Sequence, residues 1–489
     1  MDIKVLKVIG LLVLINCSIF LKANSNKHDV LKECWDKQVK TTEEKYLNLS
    51  FSEIEKRLYN GMQPWSHTIT KSDGYLYING SSFYMEDSIT AGKRVLHSKT
   101  VYNTTDLLLQ SYGDNKLAAV SKDEFVEYLF ETMRYSPIQA INYFYQNKAA
   151  IDKQSDNQTQ YKLVINKTII TLFVDNTDKL AHKITLLNDD ILYGDVLTTY
   201  TYSEYAVQKS VSIPQLVVID KVNGNITDTV TISFVGLFTD APKLLEKPDD
   251  FEWQVVTEEQ PEVVVTKYNE HIHLIDLKHT NVQAMVVEFN SFLVIIDAPR
   301  GSQNGEIIIS EAKKIAPTKP ITFFSFGHRC PWALGGIRPF IQKGVTVLCN
   351  LPEDVSYLEH LATNPHTLNP DSQQLNPKPL KTQIIGDSLT ITDGKYFIKI
   401  YLIGEKSGHT DDFMIYYFPE EKIVFEDHLT WIKKEGDIEK AGFRQKGLYN
   451  AIKDLHLDVE TVVQSWPTNK HQLKTVFPFS DLETSVNLK

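Results

Sequence analysis

Cysteine is scarce in this chain, with four residues in 489, at positions 17, 34, 330 and 349. So few thiols in so long a chain exclude a disulfide framework as its main support. A single bridge between Cys34 and Cys349 stays open on the sequence alone. Long apolar runs are also scarce. None beyond the N-terminus reaches the roughly 18 residues that a membrane-spanning helix needs. Basic residues fall short of acidic ones, 51 against 62, for a net charge of −11. That balance argues against nucleic acid or an anionic membrane surface as partner, and leaves a small molecule as the expected ligand. Three common catalytic signatures are missing as well: a Gly-x-Ser-x-Gly elbow, a His-Glu-x-x-His helix and a glycine-rich phosphate loop.

What is present begins with an export signal. Lys4 and Lys7 precede an apolar core, Val8 to Leu21, broken lightly by Asn16 and Ser18. Lys22-Ala23-Asn24 then offers a cleavage point after Ala23. The mature chain would be periplasmic or secreted, with no membrane span after cleavage. A retained anchor and a lipoprotein acylated at Cys17 are the alternatives, though Leu14-Ile15-Asn16 fits a lipobox poorly. Removing residues 1–23 takes away three lysines and one aspartate and leaves −13. Apolar content of 42% and aromatic content of 11% suit large cores. Sequons such as those at Asn103 and Asn225 matter only in a host that glycosylates.

The pattern along the remaining chain divides near residue 260, giving an N-terminal domain over 24–260 and a C-terminal one over 261–489. Residues 28–62 are charged and helical in character, which suggests a solvated helix pair or arm. Ser121-Lys122-Asp123-Glu124 is a capping-box signature opening a helix through Phe125 and Met133. Pro137 breaks it before a second helix that runs to about Ala150. From Tyr161 to Phe238, short β-rich runs alternate with turns such as Asn223-Gly224-Asn225, an antiparallel meander. The inner face of that sheet is expected to be a packed core. Leu244 to Gln260 is polar and acidic, with prolines around it, as a domain boundary would be. Beyond it strands and helices alternate: Ala284–Phe289, Phe292–Ile296, a helix over Gly305–Ile315, Ile321–Phe324, and onward to Thr461–Val463. The whole is α+β, and the second half suits a four-layer αββα sandwich.

The most informative stretch is Ser325-Phe326-Gly327-His328-Arg329-Cys330-Pro331-Trp332-Ala333-Leu334-Gly335-Gly336. It resembles the metal loop of the metallo-β-lactamase superfamily, His-x-His-x-Asp-His-x-Gly-Gly. Further anchors follow in order. Asn290-Ser291 and Val294 to Asp297 resemble the strand that ends in the family's aspartate. Gly408-His409-Thr410-Asp411 resembles its Gly-His-Thr motif. Lys422 to His428 sits where a strand ends in a bridging Asp, and Val462 to Trp466 where a last metal His is expected. The resemblance covers roughly residues 265–475. It implies the αββα fold and two metal sites.

The ligand positions depart from that pattern. The first site, three His in the family, falls on His328, Cys330 and His409. The second falls on Trp332, Ala333 and Trp466, which offer no lone pair for a divalent cation. The bridging Asp falls on His428, or on Asp427 with a one-residue shift. His328, Cys330, His409 and His428 together are a Cys-His₃ set that zinc accepts. Three binding residues would leave a position for water; four would close the site. The opposing expectation is a metal-free pseudoenzyme. In it Trp332 and Trp466 fill the old cavity, and His328 and His409 hydrogen-bond to backbone. Cys330 as a nucleophile is a minor alternative, since it needs a base to lower its pKa. His271 and His273, a second His-x-His, are expected to be surface residues without a carboxylate partner.

Two functions follow. One is a binding protein or pseudoenzyme that keeps a hydrolase-like scaffold. The other is a mononuclear zinc hydrolase acting on an ester, lactone or amide.

Overall fold

The computed structural model describes residues 27–57, 68–91, 94–102, 107–110, 117–119, 131–165, 167–239, 243, 253–255, 261–468 and 472–488. The expected export signal, the Ser121 capping box and most of the expected Leu244–Gln260 boundary lie outside them. The chain forms two compact units. One draws mainly on residues before 258; the other runs from Glu258 onward and includes Asp189–Asp195.

The first unit is built on a sheet in which fourteen strands are described, with a separate two-stranded sheet of Ala206–Gln208 and Val211–Ile213. Its described pairs are antiparallel, except for Trp253–Val255 beside Leu117–Ala119. The helices Lys27–Gln38 and Ile138–Gln146 pack together through Trp35, which stacks on Tyr145 at 4.8 Å and donates to Asn142 at 2.9 Å. Their apolar faces join Leu47, Leu49, Leu76, Ile78, Val217 and Val230 in one buried core. The inner face of the sheet is therefore packed, as expected.

The helical arm expected over residues 28–62 is only partly there. After one helix and a short 3₁₀ turn, Tyr46–Arg57 is a strand. Leu47, Leu49, Phe51 and Glu53 alternate inward at period two. Glu53 is buried opposite Arg134 at 3.1 Å. The charged residues that suggested a helix belong largely to the other face. The strands over residues 68–102 carry a weak sequence pattern, because Thr70 and Ser72, both buried, interrupt the apolar alternation.

In the second unit two sheets face each other. The first orders Val263–Lys267, Ile272–Leu277, Val282–Glu288, Leu293–Ile296, Ile321–Ser325, Thr346–Cys349 and Lys381–Ile384. The second orders Ser388–Thr392, Phe397–Leu402, Met414–Phe418, Ile423–Glu426, Thr461–Gln464 and Val476–Pro478. Met285, Val294 and Ile296 of one meet Ile398, Tyr416 and Phe425 of the other in a shared core. Ile415, Val424 and Val462 point the other way, onto Leu448, Ile452 and Leu482 of the helices Phe443–Asp454 and Phe479–Asn487. On the opposite outer face Phe324 stacks on Phe340 of the helix Ile337–Gln342 at 4.6 Å. The order is helix, sheet, sheet, helix, the αββα sandwich expected from the sequence.

All three described cysteines are free thiols. Cys34 is buried in the first unit's core and Cys349 in the second unit, so the Cys34–Cys349 bridge is not formed. No described helix is long and apolar enough to cross a membrane.

Candidate metal centre

Four strands of the sandwich end at one place. Ile321–Ser325 leads through Phe326-Gly327 to His328, and Ile423–Glu426 leads directly to Asp427 and His428. Leu293–Ile296 ends at Asp297, and Thr461–Gln464 runs into Ser465-Trp466. His409 comes from the loop after the 3₁₀ turn Gly404–Ser407. Backbone bonds fix the loops to one another. Gly327 donates to the Asp297 carboxylate at 2.9 Å, Met414 N–H to the Gly327 carbonyl at 2.8 Å, and Trp466 N–H to the Asp427 carbonyl at 3.0 Å.

The glycine pair of the metal loop has a steric reason. A Cβ on Gly336 would lie 2.9 Å from the Gly305 nitrogen and 3.0 Å from the Ala298 Cβ. One on Gly335 would lie 2.6 Å from the Pro331 carbonyl oxygen. Only residues without a side chain let this loop sit against the start of the helix Ser302–Ile315.

The three histidines converge. His409 Nε2 lies 3.2 Å from His328 Nε2 and 2.9 Å from His428 Nε2. On the far side of two of the rings stands Asp427. Its Oδ2 is 3.0 Å from His328 Nδ1 and 3.1 Å from His428 Nδ1. His328 and Asp427 are almost fully buried, whereas His428 is 13% exposed. Both Asp427 and His428 thus belong to the site, at different depths.

Cys330 is placed differently. Its Sγ is 3.5 Å from His328 Nδ1 and 3.9 Å from Asp427 Oδ2, on the Nδ1 side of that ring. Among the described residues the expected Cys-His₃ set is therefore divided into two groups, His328–His409–His428 and His328–Cys330–Asp427, which share His328. The relic expectation is corrected as well. His328 and His409 face each other through Nε2 rather than bonding to backbone.

Charge in the site follows from burial. It lowers His328 to about 4 against the pull of Asp427, and lowers His409 to about 2 with help from the neighbouring histidines. Burial alone would raise Asp427, but electrostatic attraction to His428 and hydrogen bonds from both rings hold it well below the carboxylate range. Burial and Asp427 push the Cys330 thiol and the Asp297 carboxyl well up. A protonated buried thiol is a poor nucleophile. Arg444, at the start of the helix Phe443–Asp454, adds positive charge that opposes protonation of His328 and His409.

Trp332, Ala333 and Trp466, where the resemblance led us to expect a second metal site, carry no side-chain lone pair for a cation. Ala333 is buried and its carbonyl accepts from Ala298 N–H at 2.8 Å. The Arg300 guanidinium lies 5.7 Å from the Trp332 ring centre. Trp466 meets His428 edge-on at 6.0 Å and Trp431 at 5.5 Å.

The cluster around Arg329 is barely marked in the local pattern of residues. Its backbone N–H donates to Asp412 at 2.6 Å, and its guanidinium reaches Asp354 at 2.7 Å and also Asp411. This ties the His328 loop to the His409 loop. The one available signal was an Arg inside the metal motif and an Asp-Asp pair just after Gly-His-Thr. His273 also departs from the surface position expected for it. It is buried, and Glu288 of the adjacent strand is its carboxylate partner at 3.3 Å. His271 stacks on Tyr396 at 3.8 Å.

Glu426 beside the site gives a pH prediction. It is fully buried and accepts from Leu429 N–H at 2.6 Å and from the Thr430 hydroxyl at 2.9 Å. Burial pushes its carboxyl up to about 8. The folded chain keeps this proton to near pH 8, while the unfolded chain gives it up near pH 4, so its contribution to stability falls as pH rises between them. Glu426→Gln removes the titration. Its stability relative to the parent should grow by a few kcal/mol from pH 5 to pH 9, read by urea denaturation. An equal difference at both pH values would refute it.

No family model matches the chain, and no curated protein matches it. Solved structures do. A metallo-beta-lactamase from Pontibacter korlensis is 17% identical, over 46% of this chain and 98% of its own, with a TM-score of 0.34. FIM-1 from Pseudomonas aeruginosa, in a mono-zinc form, is 16% identical over 47% and 96%, at 0.34. A metallo-beta-lactamase from Hirschia baltica is 16% identical over 46% and 96%, at 0.33.

Proposed function

We propose that this chain is an exported, metallo-hydrolase-like protein that holds one zinc ion on His328, His409 and His428 and acts on an ester, lactone or amide. The observation that carries the reading is the meeting of three Nε2 atoms, with neighbouring pairs 2.9 and 3.2 Å apart. Donors about 2.0–2.1 Å from a tetrahedral zinc lie roughly 3.3 Å from one another, so the trio is near the spacing such an ion imposes. Burial keeps the His328 and His409 rings neutral and able to donate. Held by the three imidazoles, a zinc ion would act there as a Lewis acid and lower the pKa of a water. Around the site the chain supplies the Phe413 ring, 5.2 Å from His328, and Trp466 beside His428. Both exclude bulk water from one side of the imidazoles. A second ion in the family's second position is not part of the proposal, because Trp332, Ala333 and Trp466 cannot hold it.

A binding protein without turnover is the second reading. The same three replacements favour it, since an amide cleft built for two ions works here with at most one.

Metal content by mass spectrometry tests the first reading, on protein purified without chelator or affinity metal. About one zinc per chain, lost in His409→Ala, is expected, together with zinc-dependent hydrolysis in an ester, lactone and amide screen. No bound metal after zinc is supplied would overturn it. One zinc without turnover on any of the three classes would leave the binding reading in its place.

A further inference from the structure

We propose that Asp427 is a positioning residue that sets two metal-binding histidines at once, by accepting the Nδ1 protons of His328 and His428 on a single carboxylate oxygen. This rests on the three-histidine reading above and assigns the carboxylate a role outside the ligand set.

The geometry is specific. Asp427 Oδ2 stands 3.0 Å from one Nδ1 and 3.1 Å from the other. A neutral imidazole carries its proton on one nitrogen only, and the partner of that nitrogen decides which. A carboxylate oxygen can only accept, so both rings are held with the proton on Nδ1 and the lone pair on Nε2. The two lone pairs then face the same point from different directions, because the rings are inclined at 50° to each other. His409 Nε2 completes the trio. In the metal-free protein one Nε2–H on His409 suffices to satisfy its neighbours; a cation takes the place of that proton. Lone pairs at 2.9 and 3.2 Å repel unless a proton or a cation lies among them.

Asp427 is itself fixed. It is buried, its carbonyl accepts from Trp466 N–H at 3.0 Å, and it packs against Gly327, where a Cβ would come within 2.9 Å of the Asp427 Cβ. Gly327 precedes His328, so that close approach is what brings the carboxylate under the ring. Cys330 borders the same oxygen at 3.9 Å, which defines the rival arrangement. There the thiolate, Asp427 and His328 Nδ1 would ligate an ion themselves.

The test has two arms. Nitrogen-15 spectra of the histidines in metal-free, full-length protein should show His328 and His428 as Nδ1–H tautomers. Asp427→Asn should weaken zinc binding about 10–100-fold in a chelator competition. Cobalt-loaded wild-type protein should show no thiolate-to-cobalt charge-transfer band. Nε2–H tautomers on both rings would overturn the proposal. So would unchanged zinc affinity in a folded Asp427→Asn protein, or a charge-transfer band that disappears in Cys330→Ser. If Asp427→Asn does not fold, the wild-type tautomers decide alone. If the wild type binds no zinc, the proposed function fails, while the tautomers still decide the part played by Asp427.

Discussion

Arg329→Met is expected to lower the unfolding free energy by about 3–5 kcal/mol, the usual result of removing one partner from a buried ion cluster. Arg329 is 7% exposed, and Asp354 and Asp412 are fully buried. One guanidinium faces Asp354 at 2.7 Å, Asp412 at 3.6 Å and also Asp411. Methionine keeps much of the apolar stem and removes the charge, so the loss reports the uncompensated carboxylates rather than a cavity. The pH dependence has a definite sign. Burial already raises Asp354, and raises Asp412 to about 7, while Arg329 opposes both. Without Arg329 both rise further. The folded form then holds protons that the unfolded form releases near pH 4, so stability is lost as pH rises. The deficit of Arg329→Met should therefore be larger at pH 8 than at pH 5, measured by urea unfolding. Adding Asp412→Asn should recover part of it at pH 8. A deficit that is flat in pH, or unrelieved by the second change, would refute the account.

Gly336→Ala is expected to cost about 1–3 kcal/mol, within the range for overpacking a close-fitted site. The new Cβ would meet the Gly305 nitrogen at 2.9 Å and the Gly305 Cα at 3.1 Å, atoms of a helix backbone that cannot turn aside. The loop must then shift, and His328 shifts with it, because Ala298 N–H and Arg300 N–H hold this loop through Ala333 and Pro331 carbonyls at 2.8 Å each. Thermal unfolding should show the loss, and the variant should also bind zinc more weakly than the parent. By contrast Gly436→Ala, with open space around its Cβ, meets nothing and tests only the backbone strain of its φ of 86°. Full zinc affinity in a folded Gly336→Ala protein would show that the loop has room that the close contact denies.

Much of the fold was legible because its signals are local. The continuous apolar runs Val294 to Ile296 and Phe413 to Phe418, and the Gly335-Gly336 pair, carry their structural meaning in adjacent residues. The first unit was read less well. Tyr46–Arg57 resembled a helix because its charges mark one face of a strand, and only the partner strand Ile226–Phe238 shows which face. The role of Arg329 was hidden for a related reason. Its partners Asp354, Asp411 and Asp412 are 25 to 83 residues away, and a charge does not announce which distant charge it meets.

The sequence by itself determined the candidate donor set, His328, Cys330, His409, Asp427 and His428, and that Trp332, Ala333 and Trp466 have no side-chain donor for a cation. Identity settles which atoms can coordinate. Tertiary structure alone decided which nitrogen of each ring faces which neighbour. His328 turns Nε2 to His409 and Nδ1 to Asp427, with Cys330 on the Nδ1 side. The physical reason is that a loop's register places a residue, while the hydrogen-bond partners brought by other strands fix the rotation of its ring.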